Sequence, residues 1–361
     1  MFSLSPRRSL AICALLVVLS GCQSLDYYRQ LGVGQWQLLA AREPVQTLLA
    51  DPDTPPQLPR QLRLSQQARD FASEHLHLPD NRSYRVYADL KRPFVVWNVF
   101  ATDELSLAPI EHCFPIAGCV AYRGYYQLGR ARGAAALMAQ QGLDTYVAGV
   151  EAYSTLGWFA DPLLNTMLRW SDERLVAVIF HELAHQQFYL QGDTAFNESY
   201  ATFVEQQGLH QWRQQRGEQD ATTDDQQRRE FVERVLATRA ELQTLYASPR
   251  GDAEKRAGKA AAFERLRHDY RVLRDTHWSG DRRYDAWING PLNNAKLLPF
   301  GLYDQWVPAF AALFKRHGCQ WPAFYQAVAQ LGALPADART AALEDLQHQP
   351  ANVAASCQSN G

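Results

Sequence analysis

Beyond its N-terminal segment, this chain has no apolar run long enough to cross a bilayer as a helix, a task that takes about 20 residues. It has no surplus of either charge. Its 36 basic and 38 acidic side chains leave a formal net charge of −2, so nothing in the balance points to nucleic acid or an acidic polymer as a partner. Internal repeats and long low-complexity tracts are missing, which leaves no basis for a repeat architecture. Cysteine is sparse, six in all. No second cluster has ligand spacing, which argues against a Cys-Cys-His metal site. What is plentiful is apolar side chain, 47% of 361 residues, enough for one large domain or two small ones with ample core.

The N-terminus is the exception. Arg7 and Arg8 precede an apolar run from Leu10 to Leu19, which ends in Leu19-Ser20-Gly21-Cys22. Basic residues, a short apolar core and small residues before a cut site describe a secretory signal, here residues 1–21. The ending resembles a bacterial lipobox, in which the cysteine is acylated, so Cys22 is expected to tether the chain to a membrane. Gln23, where an Asp would resemble an inner-membrane retention signal, favours the outer membrane facing the periplasm. Cys13 leaves with the signal. Cys113, Cys119, Cys319 and Cys357 remain, an even number in an oxidising compartment. Three connectivities are possible. The expected one closes a short loop with Cys113–Cys119 and pins the C-terminal tail with Cys319–Cys357; free buried thiols are the alternative.

Helix is expected from Cys22 to about Ala50, with Leu31, Trp36, Leu38 and Leu39 on apolar positions. The Pro-rich stretch Asp51–Pro59 breaks it. A second amphipathic segment, Leu62–Leu76, follows. Alternation at Tyr84, Val86 and Ala88 and the apolar run Phe94–Phe100 read as strands; Val120-Ala121-Tyr122 and Tyr146–Ser154 read as two more. Gln127–Gln141 is helical. Asp172–Tyr189 and Ala195–Trp212 are the next helices. Residues 213–283 are dense in charge and Gln, with Phe231, Val235, Leu236, Leu242 and Leu245, then Phe263, Leu266, Tyr270 and Leu273, at helical spacing. They read as a long helical hairpin with one buried stripe and a solvated charged face. The part from 284 to 361 is mostly helical and completes the body. Residues 22–212 form the expected catalytic core, and the fold class is α+β, mainly helical, with a small sheet.

The segment Val178-Ile179-Phe180-His181-Glu182-Leu183-Ala184-His185 carries the chemistry. Ser171 can cap this helix, and Asp172 and Glu173 place negative charge at its positive end. Histidines four apart share one face, so His181 and His185 can aim at one point. The pattern His-Glu-x-x-His is the sequence of a zinc site with Glu182 as general base. Catalytic zinc takes three protein ligands and keeps a fourth position open. The next helix offers Glu198, which lies off the apolar stripe of Phe196, Tyr200 and Phe203. Glu205, two turns on, is the rival third ligand, or else a surface Glu or a partner of a ligand. One zinc ion is the expected cofactor; ligand type alone does not exclude other transition metals.

His-Glu-Leu-Ala-His-Gln followed by Asn197-Glu198-Ser199-Tyr200-Ala201 resembles the gluzincin peptidases, particularly the large zinc aminopeptidases. That resemblance covers about 30 residues and implies zinc on His181, His185 and Glu198, with Glu182 as base. Nearly the whole chain resembles a set of bacterial lipoproteins labelled predicted aminopeptidases, through Pro115-Ile116-Ala117-Gly118-Cys119, Ala152–Phe159 and Leu292-Asn293-Asn294-Ala295. It implies a zincin-like core and a peptide substrate. Two features differ from the large enzymes. The spacing from His185 to Glu198 is shorter. Gly149-Val150-Glu151-Ala152-Tyr153-Ser154 stands where they carry their exopeptidase motif.

Further roles follow as expectations. Tyr303, with Tyr284 and Tyr153 as alternatives, is a candidate donor to the oxyanion. A strand over Ala152–Phe159 is expected to offer Tyr153, Ser154 and Thr155 to extended substrate. Glu151 is the nearest acid for a substrate's α-ammonium group. Asp161-Pro162 reads as a turn, and Asn293 and Asn294 as cleft residues or helix caps. The function that results is a zinc peptidase of the periplasm, with aminopeptidase the favoured mode. Alternatives are an endopeptidase or cell-wall peptide hydrolase, or an envelope scaffold that binds without turnover. The hairpin offers no readable protein partner.

Overall fold

The computed structural model describes residues 26–114, 118–152, 155, 159–218 and 223–348. The fold is α+β and mainly helical. It begins with α1 (26–40), β1 (Arg42–Pro44), α2 (Val45–Ala50) and α3 (Leu58–Glu74). Then come β2 (Val86–Ala88), β3 (Val96–Thr102), β4 (His112–Phe114), β5 (Gly118–Val120), β6 (Arg123–Tyr125), α4 (Leu128–Gln140), β7 (Asp144–Val150) and β8 (Leu163–Leu164). The rest is helical: α5 (Asp172–Gln187), α6 (Thr194–Gln215), α7 (Thr223–Ala247), α8 (Asp252–Val272), α9 (Asp285–Asn289), α10 (Asn294–Tyr303), α11 (Val307–Arg316), α12 (Trp321–Gly332) and α13 (Ala336–His348).

Three departures from the sequence expectation concern the first half. The expected helix to Ala50 is cut at 41–44. Arg42–Pro44 instead pairs antiparallel with Val86–Ala88, and Pro44, which lacks an N–H, stands just before α2. Of the strand expected over Ala152–Phe159, the described residues Ala152, Thr155 and Phe159 lie outside strands, and β7 ends at Val150. Three short strands, β4, β6 and β8, had no sequence signal strong enough to place them.

The main sheet has the order β6-β3-β7, all antiparallel, with Val96 opposite Val150 and Thr102 opposite Asp144. Side chains alternate between its faces. Trp97, Val99 and Val147 meet Ala131 and Ala135 of α4 and Tyr27 of α1. Phe100, Tyr146 and Ala148 pack with Ala295, Leu298 and Leu302 of α10 on the opposite face. Helix α1 sits very close to this region. A Cβ on Gly34 would lie 2.2 Å from the Tyr126 ring, so only glycine admits that approach.

Helices α5 and α6 form the centre. Leu175, Val176, Ile179, Phe180 and Leu183 of α5 join Phe196, Tyr200 and Phe203 of α6 in one buried cluster with Phe310, Phe314 and Phe324. Phe196 and Phe310 meet edge to face at 5.1 Å. The hairpin α7–α8 buries Phe231, Val235, Leu242, Phe263, Leu266, Tyr270 and Leu273, but its stripe also takes in Trp278, Ile288 and Leu297 from the C-terminal part. Its charges are not all solvated. Lys259 reaches Asp144 of β7 at 2.6 Å in a mostly covered pair, whereas the Arg256–Glu104 pair at 2.9 Å stays exposed. Cys113 and Cys119 are disulfide-bonded across β4 and β5. Cys319 is disulfide-bonded as well, and Cys357 lies outside the described residues. No helix among the described residues is long and apolar enough to cross a membrane.

Candidate metal centre

Local rules set the α5 helix. The Ser171 side chain accepts the Arg174 N–H at 3.3 Å, and Asp172 and Glu173 occupy the first turn. One turn separates His181 from His185, and their rings lie 4.9 Å apart at 81°. Helix α6 is held by a tight connection. Asp193 caps it by accepting the Phe196 N–H at 3.0 Å. The Asn197 amide grips the loop twice: it accepts the Leu190 N–H at 2.8 Å and donates to the Leu190 carbonyl at 2.7 Å. The next residue, Glu198, points back at α5. The one after, Ser199, donates to the Leu302 carbonyl at 3.0 Å and accepts the Trp306 N–H at 3.1 Å, which seats the end of α10 beside the site.

His181, His185 and Glu198 are all buried, and each turns one ligand atom toward the others, all within 4.8 Å. Glu198 Oε2 is 3.4 Å from His181 Nε2 and 3.5 Å from His185 Nε2. It makes no well-formed hydrogen bond with either, or with any other group among the described residues. A buried carboxylate oxygen left this way is costly unless something else satisfies it. Two imidazole nitrogens and one carboxylate oxygen are the donor set of a catalytic transition-metal site. The residues therefore fit a metal ion. Behind His181, Glu205 Oε2 lies 3.0 Å from Nδ1. That contact leaves Nε2 as the nitrogen free to ligate, the usual arrangement of a carboxylate behind a metal-bound histidine. Glu205 thus stands behind a candidate ligand; as a third ligand it would have the wrong nitrogen of His181 facing it.

Charges in the site are tightly linked. Burial on its own would strip the proton from His181, but Glu198 and Glu205 outweigh it and raise the group to about 10. Burial pushes Glu198 upward too, yet His185 and His181 pull it down to about 2. For Glu182, buried beside His181, burial wins over both imidazoles and lifts the carboxyl to about 7. Burial likewise raises the hydroxyls of Tyr303 and Tyr122 well above the ordinary range, so both stay protonated donors. The Tyr303 ring stacks on His181 at 5.9 Å, and the nearby Glu198 charge adds to the burial that keeps its hydroxyl protonated.

Two cavities, each of about 360 Å³, meet at these residues. Asn98, Val150, Ala152, His181, Glu182 and Tyr303 line both. One runs toward α1 and is largely apolar and aromatic, with Tyr27, Leu31, Phe114 and Tyr122 in its wall. The other is charged, with Glu151, Arg174, Glu205, Arg228 and Asp304.

Other residues singled out in the sequence fall as follows. Glu151 lies in the charged cavity, accepts the Trp170 indole N–H at 2.7 Å, and has Arg169 and Arg174 each at 3.7 Å. Tyr284 is away from the site, stacked on Phe231 at 3.9 Å in the hairpin cluster. Thr155 is not on a strand; its N–H and hydroxyl donate to Asp161 at 3.0 and 2.6 Å. Asp161, expected to be only part of a turn, is a buried carboxylate that also accepts from Gln186 of α5 at 3.0 Å. Asn293 caps α10, accepting the Lys296 N–H at 3.0 Å. Asn294 is buried, donating to the Glu104 and Ser106 carbonyls. Cys22, Tyr153 and Ser154 lie outside the described residues. Sequence reasoning missed Asp161, Tyr122 and Asn98; only the polarity of Asn98 within an apolar strand could have marked one of them.

A family model described as "Putative aminopeptidase" matches residues 26–343. No curated protein and no solved structure matches the chain.

Proposed function

The chain belongs to the "Putative aminopeptidase" family, and from that premise we propose that it is a zinc-dependent peptidase with a zincin-like core, held at the periplasmic face of the outer membrane by an acylated Cys22. The observation that carries the metal reading is Glu198 Oε2, buried, without a well-formed hydrogen bond and facing two imidazole nitrogens. The Leu19-Ser20-Gly21-Cys22 ending carries the location.

His181, His185 and Glu198 would hold the ion, and Glu205 fixes the tautomer of His181. When bound, zinc supplies Lewis acidity toward a water and a peptide carbonyl. Glu182 takes a proton from the attacking water on its carboxylate and delivers it to the leaving amine. Burial favours the protonated Glu182 carboxyl, which helps it hold the proton between the two halves of that exchange. Tyr303 and Tyr122, kept neutral by burial, present hydroxyl donors for the oxyanion. Glu151, which lines the charged cavity and is shared with Arg169 and Arg174, is the carboxylate assigned to a substrate ammonium group.

Cleavage within chains is favoured by a different observation: cavity extends on both sides of Glu182, leaving room for substrate residues before and after the cut bond. A peptide digest separates the two. The zinc-loaded protein and Glu182→Gln are incubated with a mixed peptide library and the products read by mass spectrometry. Single residues lost from amino ends, and absent with Glu182→Gln, are the expected result. Internal cuts with the same dependence would keep the metal reading and replace the mode. Products that persist with Glu182→Gln would sink the role of Glu182.

A further inference from the structure

We propose that the outward face of α1 is a membrane-docking face, in which Tyr28, Val33 and Trp36 settle into the headgroup layer of a phospholipid bilayer. These are three of the few large apolar side chains that the described structure leaves open, at 48%, 48% and 71% exposure. They do not scatter. At 100° per residue, Tyr28, Gly32, Trp36, Arg29, Ala40 and Val33 occupy one side of the helix and are exposed; Leu39, on the same side at its end, is half-buried against the core. Tyr27, Gln30, Gly34 and Leu38 occupy the other side and are buried.

The buried side fixes α1 rigidly to the body. Arg123 lies over the Tyr27 ring at 3.8 Å, Gln30 accepts the Tyr126 N–H at 3.0 Å, and Gly34 rests against the Tyr126 ring. The outward face is therefore presented by a fixed helix. Its composition suits a bilayer surface. Tyr and Trp have an apolar body and a polar tip and gather at headgroup depth. Arg29 adds a cation, and the one carboxylate on this side, Asp26, is neutralised by Arg130.

The occupant follows from the chain just before the helix. This part of the argument rests on the reading of Cys22 as an acylation site. Three residues separate Cys22 from Asp26. Even fully extended they reach only about 14 Å, whereas the polar layer on each side of a bilayer is about 5–8 Å thick. A chain acylated at Cys22 holds the start of α1 at the membrane surface, and Trp36, about 15 Å further along the helix, reaches lipid when α1 lies along that surface. The same helix lines the apolar cavity through Leu31 and Tyr27, so docking also sets the height of the cleft above the bilayer.

The test uses the full chain, made in a bacterial host, extracted from its membranes and reconstituted into phosphatidylethanolamine–phosphatidylglycerol vesicles that carry bromine on the upper acyl chain. Mass spectrometry of the N-terminal peptide reports acylation. Tryptophan emission is expected to be quenched by the bromolipid, and Trp36→Phe to lose most of that quenching; the side chain is open, so its replacement leaves the core intact. A nitroxide on Val33→Cys gives a second reading, expected to lose access to a water-soluble nickel chelate when vesicles are present. An acylated protein whose Trp36 is not quenched overturns the docking face and leaves the anchor standing. Quenching of Trp36 without acylation keeps the docking face and removes the anchor. A Trp36 shielded from iodide without lipid, in a species of twice the mass, assigns the face to a second copy and overturns the proposal.

Discussion

Replacement of Glu205 by Ala tests how the site is built. Glu205 Oε2 lies 3.0 Å from His181 Nδ1, and the carboxylate is three-quarters covered. A hydrogen bond with a charged partner contributes about 1.5–3 kcal/mol. Each 1.4 kcal/mol is about tenfold in affinity, so Glu205→Ala should weaken zinc binding by about 10–100-fold, the range found for partners of metal-bound histidines. The sign depends on pH. Without metal, Glu205 also helps to keep a proton on His181, whose pKa stands near 10, and that proton competes with the metal. Removing Glu205 relieves part of this competition. The loss should therefore be largest near pH 8.5 and shrink toward pH 6.5. Competition against a chromophoric chelator at both pH values, with circular dichroism to establish folding, gives the numbers. Glu198→Ala serves as the reference and should lose far more, because it removes a ligand. Affinity of Glu205→Ala within twofold of the native protein at both pH values would refute the orienting role. Greater damage from Glu205→Ala than from Glu198→Ala would exchange their places.

Three further outcomes are expected. Zinc affinity of the native protein should rise with pH by about tenfold per unit below the His181 value near 10, since binding must displace that proton; a flat profile in a metal-buffered titration would contradict the ion-pair network. Asn197→Ala should lower stability by about 1–3 kcal/mol in urea melts, because the Leu190 N–H and carbonyl lose their partner, and it should weaken zinc binding by loosening Glu198. Tyr303→Phe should leave zinc affinity within a few-fold and cut kcat by about 10²–10³, as loss of an oxyanion donor does. An equal fall in affinity would make Tyr303 a packing residue against His181.

The legible part of this protein is the part governed by local rules. Helix α5 announces itself through Ser171, the acidic first turn and an apolar face, and two histidines one turn apart must point the same way. The choice between Glu198 and Glu205 was harder. They are two turns apart on one face of α6, so periodicity puts both toward α5, and only depth separates the one facing Nε2 from the one facing Nδ1. Asp161 was illegible for another reason. Its partners, Thr155 and Gln186, come from different parts of the chain, and nothing near an Asp-Pro step reveals that its carboxylate is buried. The short strands escaped likewise. Arg42–Pro44 is a strand because Val86–Ala88 lies beside it, not because of its own composition. Tyr122, expected on a strand over Val120–Tyr122, instead lies in the turn between β5 and β6, and that turn brings it to the site.

The connection between α5 and α6 has a consequence for the order of events in folding. All three candidate ligands belong to one helical hairpin, joined by a loop that Asn197 closes on itself. Closing so short a loop carries little entropic cost, and contacts close in sequence form early. The ligand set can come together before the sheet, the disulfide hairpin and α10 are in place. Metal captured at that stage would stabilise the hairpin first and act as a template for the rest, so a chain refolding with zinc should gain protected amides in α5 and α6 ahead of those in β3 and β7.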